Sequence, residues 1–77
     1  MVTVWINGVT LDRVDLRTLE SSTVAAVLRA VDPQEKNIPR DLIISKWEYA
    51  PGGDRPVQLE DQLEADSILE IELQSDE

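Results

Sequence analysis

The groups in this chain that could do chemistry are its carboxylates. Sixteen of its 77 residues are Asp or Glu, and it has neither histidine nor cysteine. Without histidine it lacks the side chain that most often moves protons at neutral pH and most often binds metal. Without cysteine it has no thiolate nucleophile, no soft metal ligand and no disulfide. Two clusters of carboxylates stand close in sequence, Glu60/Asp61 and Glu64/Asp66. A calcium loop needs acidic residues at alternate positions, a central glycine and a terminal glutamate, and neither cluster fits that frame. Paired carboxylates working as acid and base need a cleft, which a small sheet with one helix rarely forms. No Ser-His-Asp set and no phosphate-binding loop is present. These carboxylates therefore read as solvated surface, and the chain reads as non-enzymatic, with no metal and no cofactor. The Gly52-Gly53 pair follows Pro51 and reads as a turn that needs positive φ.

The elements that would carry any site are legible from periodicity. "VTVWI" alternates and runs into Asn7-Gly8, the dipeptide best suited to a type I′ hairpin turn. Folding there sets Ile6 opposite Val9, Trp5 opposite Thr10 and Val4 opposite Leu11. Val2, Val4, Ile6, Val9 and Leu11 then share one face, and Trp5 lies on the other. Val24, Val27, Leu28 and Val31 follow the spacing of one apolar helix face. Ser21, Ser22 or Thr23 caps that helix, and Asp32-Pro33 closes it. The preceding strand is expected to reach Leu16 or Arg17, because three consecutive Ser/Thr residues make poor helix interior. "LIISKWEYA" reads as a strand, "PGGDRP" as a turn, "VQL" as a short strand, and Ser67–Leu73 as the last strand. A single helix crossing a sheet gives a two-layer α+β domain over residues 1–77, with 74–77 as a polar tail.

Net charge is −9, and its placement is uneven. All seven basic residues lie at or before Arg55, and the acidic residues after it have no basic neighbour. Such a chain is expected to avoid phosphate backbones and anionic membranes, and to prefer basic or apolar partner surfaces. No segment approaches the roughly 20 apolar residues of a membrane span. "MVTVWING" lacks the basic region and apolar run of a signal peptide, so the expected compartment is the cytoplasm.

"LEDQLEADSILEIEL" carries a resemblance. Leu59, Asp61, Leu63, Ser67, Leu69, Ile71 and Leu73 resemble the L-x-D…L…S-x-L-x-L-x-L pattern of the ubiquitin-like β-grasp superfamily, and the likeness covers essentially the whole chain. "VWING" before a second strand is similar to the small sulfur-carrier branch. The resemblance implies a mixed sheet of four to five strands in the order 2-1-5-3-4, packed on one helix. Conjugating and sulfur-carrying members end in diglycine, whereas this sequence ends Gln74-Ser75-Asp76-Glu77. The expectation is a non-conjugated interaction module or small accessory subunit that docks to a larger assembly. Small ubiquitin-like proteins of type VII secretion systems and small β-grasp subunits of multicomponent monooxygenases are relatives of that kind. The alternatives are an acidic, phage-type inhibitor that mimics nucleic acid, and a sulfur carrier or modifier matured from another form.

In the implied strand order, strands 1, 5 and 3 lie side by side, and their outward residues line up on the helix-free face. Trp5 is outward on the first. On the last, Leu69, Ile71 and Leu73 point in, so Ile68, Glu70 and Glu72 point out. On the third, putting Ile43, Ser45, Trp47 and Tyr49 inward leaves Leu42, Ile44, Lys46 and Glu48 outward and keeps both charges in water. The expected docking patch is then Trp5, Ile44 and Ile68, rimmed by Glu70, Glu72, Lys46 and Glu48, with Lys46 paired to Glu70 or Glu72. A one-residue change of register would instead turn Trp47 and Tyr49 outward.

Overall fold

A computed structural model of the protein describes residues 1–74; the expected tail from Gln74 onward lies outside them for Ser75, Asp76 and Glu77. Strands β1 (Val2–Ile6) and β2 (Val9–Val14) lead into a short 3₁₀ turn at Leu16–Thr18 and the helix α1 (Val24–Val31). Strands β3 (Ile43–Ala50), β4 (Gly53–Pro56) and β5 (Ile68–Leu73) complete the chain. The fold is α+β, with one five-stranded mixed sheet in the order β2-β1-β5-β3-β4. The last strand lies in the centre, parallel to β1 and antiparallel to β3.

The hairpin forms as its turn residues require, with Asn7 at φ 50° and Gly8 at φ 84°. Ile6 faces Val9 and Trp5 faces Thr10, but a bulge intervenes next, so Val4 faces Asp12 rather than Leu11. Leu11 still packs against the core as the extra residue of that bulge. Val9 is 69 % exposed at the turn end of the edge strand, where nothing covers it. Strand β2 ends at Val14, earlier than its apolar run suggests, because the Asp15 carboxylate accepts the Arg17 backbone N–H at 3.0 Å and starts the 3₁₀ turn. The Arg17 side chain bonds the same carboxylate and holds its pKa down to about 2.

The helix is eight residues long and is held at both ends by groups outside it. At its start, Val24 and Ala25 donate to the carbonyls of Asp61 and Leu59, and the Thr23 hydroxyl accepts the Ala26 N–H. These contacts satisfy backbone donors that a helix cannot satisfy itself. Val24, Val27 and Leu28 are fully buried against Val2, Val4, Leu69 and Ile71. Ile38, Val57 and Leu63 come from the connecting loops and close the core, which is entirely aliphatic. Among the described residues, no helix is long and apolar enough to cross a membrane.

At the helix end, Asp32 is almost fully buried. Its carboxylate accepts three backbone N–H bonds, from Lys36 at 3.0 Å, Asn37 at 2.9 Å and Ile38 at 2.6 Å, with Arg40 beside it at 3.7 Å. Burial alone would raise its pKa. The three donors and the guanidinium outweigh burial and lower it. A carboxylate whose folded pKa is depressed contributes stability above its unfolded value of about 4, and that contribution is lost as pH falls through the folded value. The thermal midpoint is therefore expected to fall steadily below pH ~4. Asp32→Asn should lower the midpoint at neutral pH and flatten that acid limb, as read by circular dichroism across a pH series.

Strand β3 departs from expectation. Its first pair is Ile43 with Leu73, on the helix side as expected, and then a bulge inserts one residue before Ser45 pairs with Glu72. From there the faces are exchanged: Lys46 lies opposite Ile71 and Glu48 opposite Leu69, while Trp47 lies opposite Glu70 and Tyr49 opposite Ile68. Residues directly opposite share a face, so Lys46 and Glu48 point toward the helix layer, and Ser45, Trp47 and Tyr49 point away from it. Glu48 is completely buried, contrary to the rule that kept it in water. It tolerates burial because Arg55 Nε donates to it at 2.8 Å and the Glu64 N–H donates at 2.8 Å. The short strand expected at "VQL" forms at Gly53–Pro56, inside the stretch read as a turn, and this register brings Arg55 directly opposite Glu48. Gly53, at φ 131°, opens that strand after the Pro51-Gly52 turn.

Candidate interaction face

The helix-free face of the sheet is organised around Glu70. On one side of it stands Trp5 on the parallel strand β1; on the other stands Trp47 on the antiparallel strand β3. Thr10 and Pro56 extend this row to the sheet edges. The neighbouring row runs Arg13, Thr3, Ile68, Tyr49 and Asp54. Glu72 and Ser45 pair on the same face toward the start of β3.

The chain has two tryptophans, one tyrosine and no phenylalanine. All three aromatic residues lie on this one face, and each is only partly buried. That distribution runs against what core packing would select. A domain this small is short of buried apolar area, and aromatic rings are the largest units it could bury. Here the core is built from Val, Leu and Ile, and the rings are displayed.

Four of the seven expected patch and rim residues fall on this face: Trp5, Ile68, Glu70 and Glu72. Glu48, buried on the helix side, does not, and neither does Lys46. Lys46 lies opposite Ile71 on the other side of the sheet, so it makes no pair with Glu70 or Glu72. Ile44 sits in the β3 bulge between the Ile43 and Ser45 pairs; it is 59 % exposed but stands at the end of the sheet, away from Trp5. Trp47 and Tyr49 take the place of Lys46 and Ile44 in the patch. Part of the signal was in the sequence: closing a hairpin on Pro51-Gly52 sets Glu48 against Arg55, a partner with which Glu48 can be buried while Trp47 and Tyr49 face outward.

The Tyr49 hydroxyl donates to Glu70 Oε1 at 3.0 Å. This bond, together with partial desolvation and the charges of Glu70 and Asp54, raises the tyrosine pKa above its usual value. Because Tyr49 is the chain's one tyrosine, tyrosinate absorbance reports it alone. The titration midpoint is expected above ~10, and Glu70→Gln should bring it down. An unchanged midpoint in that variant would show that the bond does not hold in solution.

Among the described residues, no group of three or more His, Cys, Asp or Glu is arranged to hold a metal ion. One surface hollow, of about 230 Å³, lies on the other side of the molecule, against α1 and the 3₁₀ turn, lined by Thr18, Leu19, Glu20, Ala26, Arg29 and Ala30. It does not adjoin the aromatic face. That face presents flat apolar rings, a central carboxylate and an acidic margin. Comparison with known proteins returns no matching family model, no matching curated protein and no matching solved structure.

Proposed function

We propose that this chain is a non-catalytic protein-interaction module of the ubiquitin-like β-grasp type, docking to a larger protein assembly through the helix-free face of its sheet. The observation that carries this reading is the display of Trp5, Trp47 and Tyr49 together on one uncovered face while the core holds no aromatic residue. Tryptophan and tyrosine are the residues most enriched at binding hot spots. The strand order and the single helix accord with the β-grasp arrangement. An acidic chain with this face suits a partner with a basic or apolar docking surface, encountered in the cytoplasm.

Affinity capture from the native host tests this directly, comparing the wild-type chain with a Trp5→Ala/Trp47→Ala double variant. The wild type should recover a partner in near-stoichiometric amount, and the folded double variant should lose it. Equal recovery by both, or no partner above background, would refute the docking face.

A further inference from the structure

The centre of the aromatic face carries a more specific arrangement. Glu70 is a partly buried carboxylate in the middle strand, with an indole on the strand to either side. One of its oxygens accepts the Tyr49 hydroxyl. Among the described residues, the ion pairs are Met1 with Asp66, Arg17 with Asp15, Arg40 with Asp32 and Arg55 with Glu48, so Glu70 has no cationic partner. The nearest charges on its face are Glu72 along the same strand and Asp54 beyond Tyr49, and Arg13 stands at the far edge of the adjoining row. A partly buried carboxylate flanked by aromatic rings offers a site for a cation.

We propose that this site receives an arginine side chain carried by the partner protein, its guanidinium lying between the indoles of Trp5 and Trp47 and its N–H groups bonding Glu70. The inference rests on the docking reading above and gives its partner a chemistry. Adjacent strands are about 4.8 Å apart, so the two tryptophans, two strands apart, leave roughly 10 Å between their backbones. A flat group stacked at about 3.5 Å from each of two rings needs roughly 7 Å. A guanidinium is such a group: planar, weakly hydrated, suited to stacking on rings and able to give parallel hydrogen bonds to a carboxylate. An ammonium is compact and strongly hydrated, and it uses a carboxylate but gains less from two flat walls. The chain's charge of −9 draws such a partner in and disfavours an acidic one.

The test uses the whole chain labelled with ¹⁵N, in which Trp5 and Trp47 give the two indole N–H resonances. It is titrated with the capped peptide Gly-Ser-Arg-Ser-Gly and with peptides carrying lysine, trimethyllysine or neutral citrulline in place of the arginine. The arginine peptide should shift both indole resonances and the Glu70 amide in a saturable way, and citrulline should not. Glu70→Gln, which keeps the shape and removes the charge, should weaken arginine binding about tenfold. Equal shifts with citrulline, tighter binding of lysine or trimethyllysine, or no shift at millimolar peptide would each overturn the assignment. The captured partner separates the two readings. Loss on Trp47→Ala with retention on Glu70→Gln would leave the docking face standing and remove the arginine; retention by both variants would remove both.

Discussion

Replacing Arg55 with alanine is expected to destabilise the protein by about 3–5 kcal/mol, the range seen when a buried ion pair loses one partner. In a domain of this size that is most of the available stability, so the variant should be largely unfolded. The cause lies in Glu48, whose side chain is 0 % exposed on the helix side of β3, while that of Arg55 is 47 % exposed. Arg55 reaches over Glu48 from the edge strand and also donates to the Gln62 carbonyl at 2.6 Å, tying the loop before β5 to the hairpin. Removing the arginine leaves a buried charge with one backbone donor, from Glu64. Removing the glutamate is less damaging, because a half-exposed guanidinium can turn to water. The surface residue is therefore the more costly one to lose. Glu48→Met combined with Arg55→Met should recover much of the loss, since it removes the buried charge and leaves only the Glu64 N–H and the Gln62 carbonyl to find other partners. Urea unfolding followed by tryptophan fluorescence would read Arg55→Ala, Glu48→Met and the double variant. An Arg55→Ala protein no less stable than Glu48→Met would show that the pair is not the anchor.

Trp47→Ala, one residue from Glu48 on the same strand, should do the reverse. Its ring stands on the open face, so the expected loss of stability is about 1 kcal/mol or less, the scale of a cross-strand pair. Partner affinity should fall by about 2 kcal/mol or more, the scale of a hot-spot residue. The contrast between neighbours follows from the two faces of β3. Melting curves and equilibrium binding to the captured partner measure the two quantities separately.

Much of this was legible from the residues. Asn7-Gly8, the Val24–Val31 apolar spacing and the alternation of Leu69, Ile71 and Leu73 each point to one element through a strong local rule, and the structure follows them. Strand β3 is different. After Ile43 its residues read Ile, Ser, Lys, Trp, Glu and Tyr, so either register puts something polar inward. The tie is broken by a contact across the next hairpin, Glu48 with Arg55, and by a bulge that local pattern does not encode. The rule that charged residues stay in water failed at Glu48 because it takes no account of partners. With it failed the placement of Lys46 and Ile44 in the patch. Trp5, Ile68, Glu70 and Glu72 were placed by alternation on strands whose inner sets are purely apolar, and they lie on the expected face.

The most direct test of the docking face is a residue-resolved footprint of the chain bound to its captured partner, read from amide and indole resonances. The indoles of Trp5 and Trp47 and the amides of Tyr49, Ile68 and Glu70 should shift or broaden on binding, while the exposed side of α1 stays unchanged. A footprint on α1 or on the free edge of β2, with both indole resonances unmoved, would contradict it.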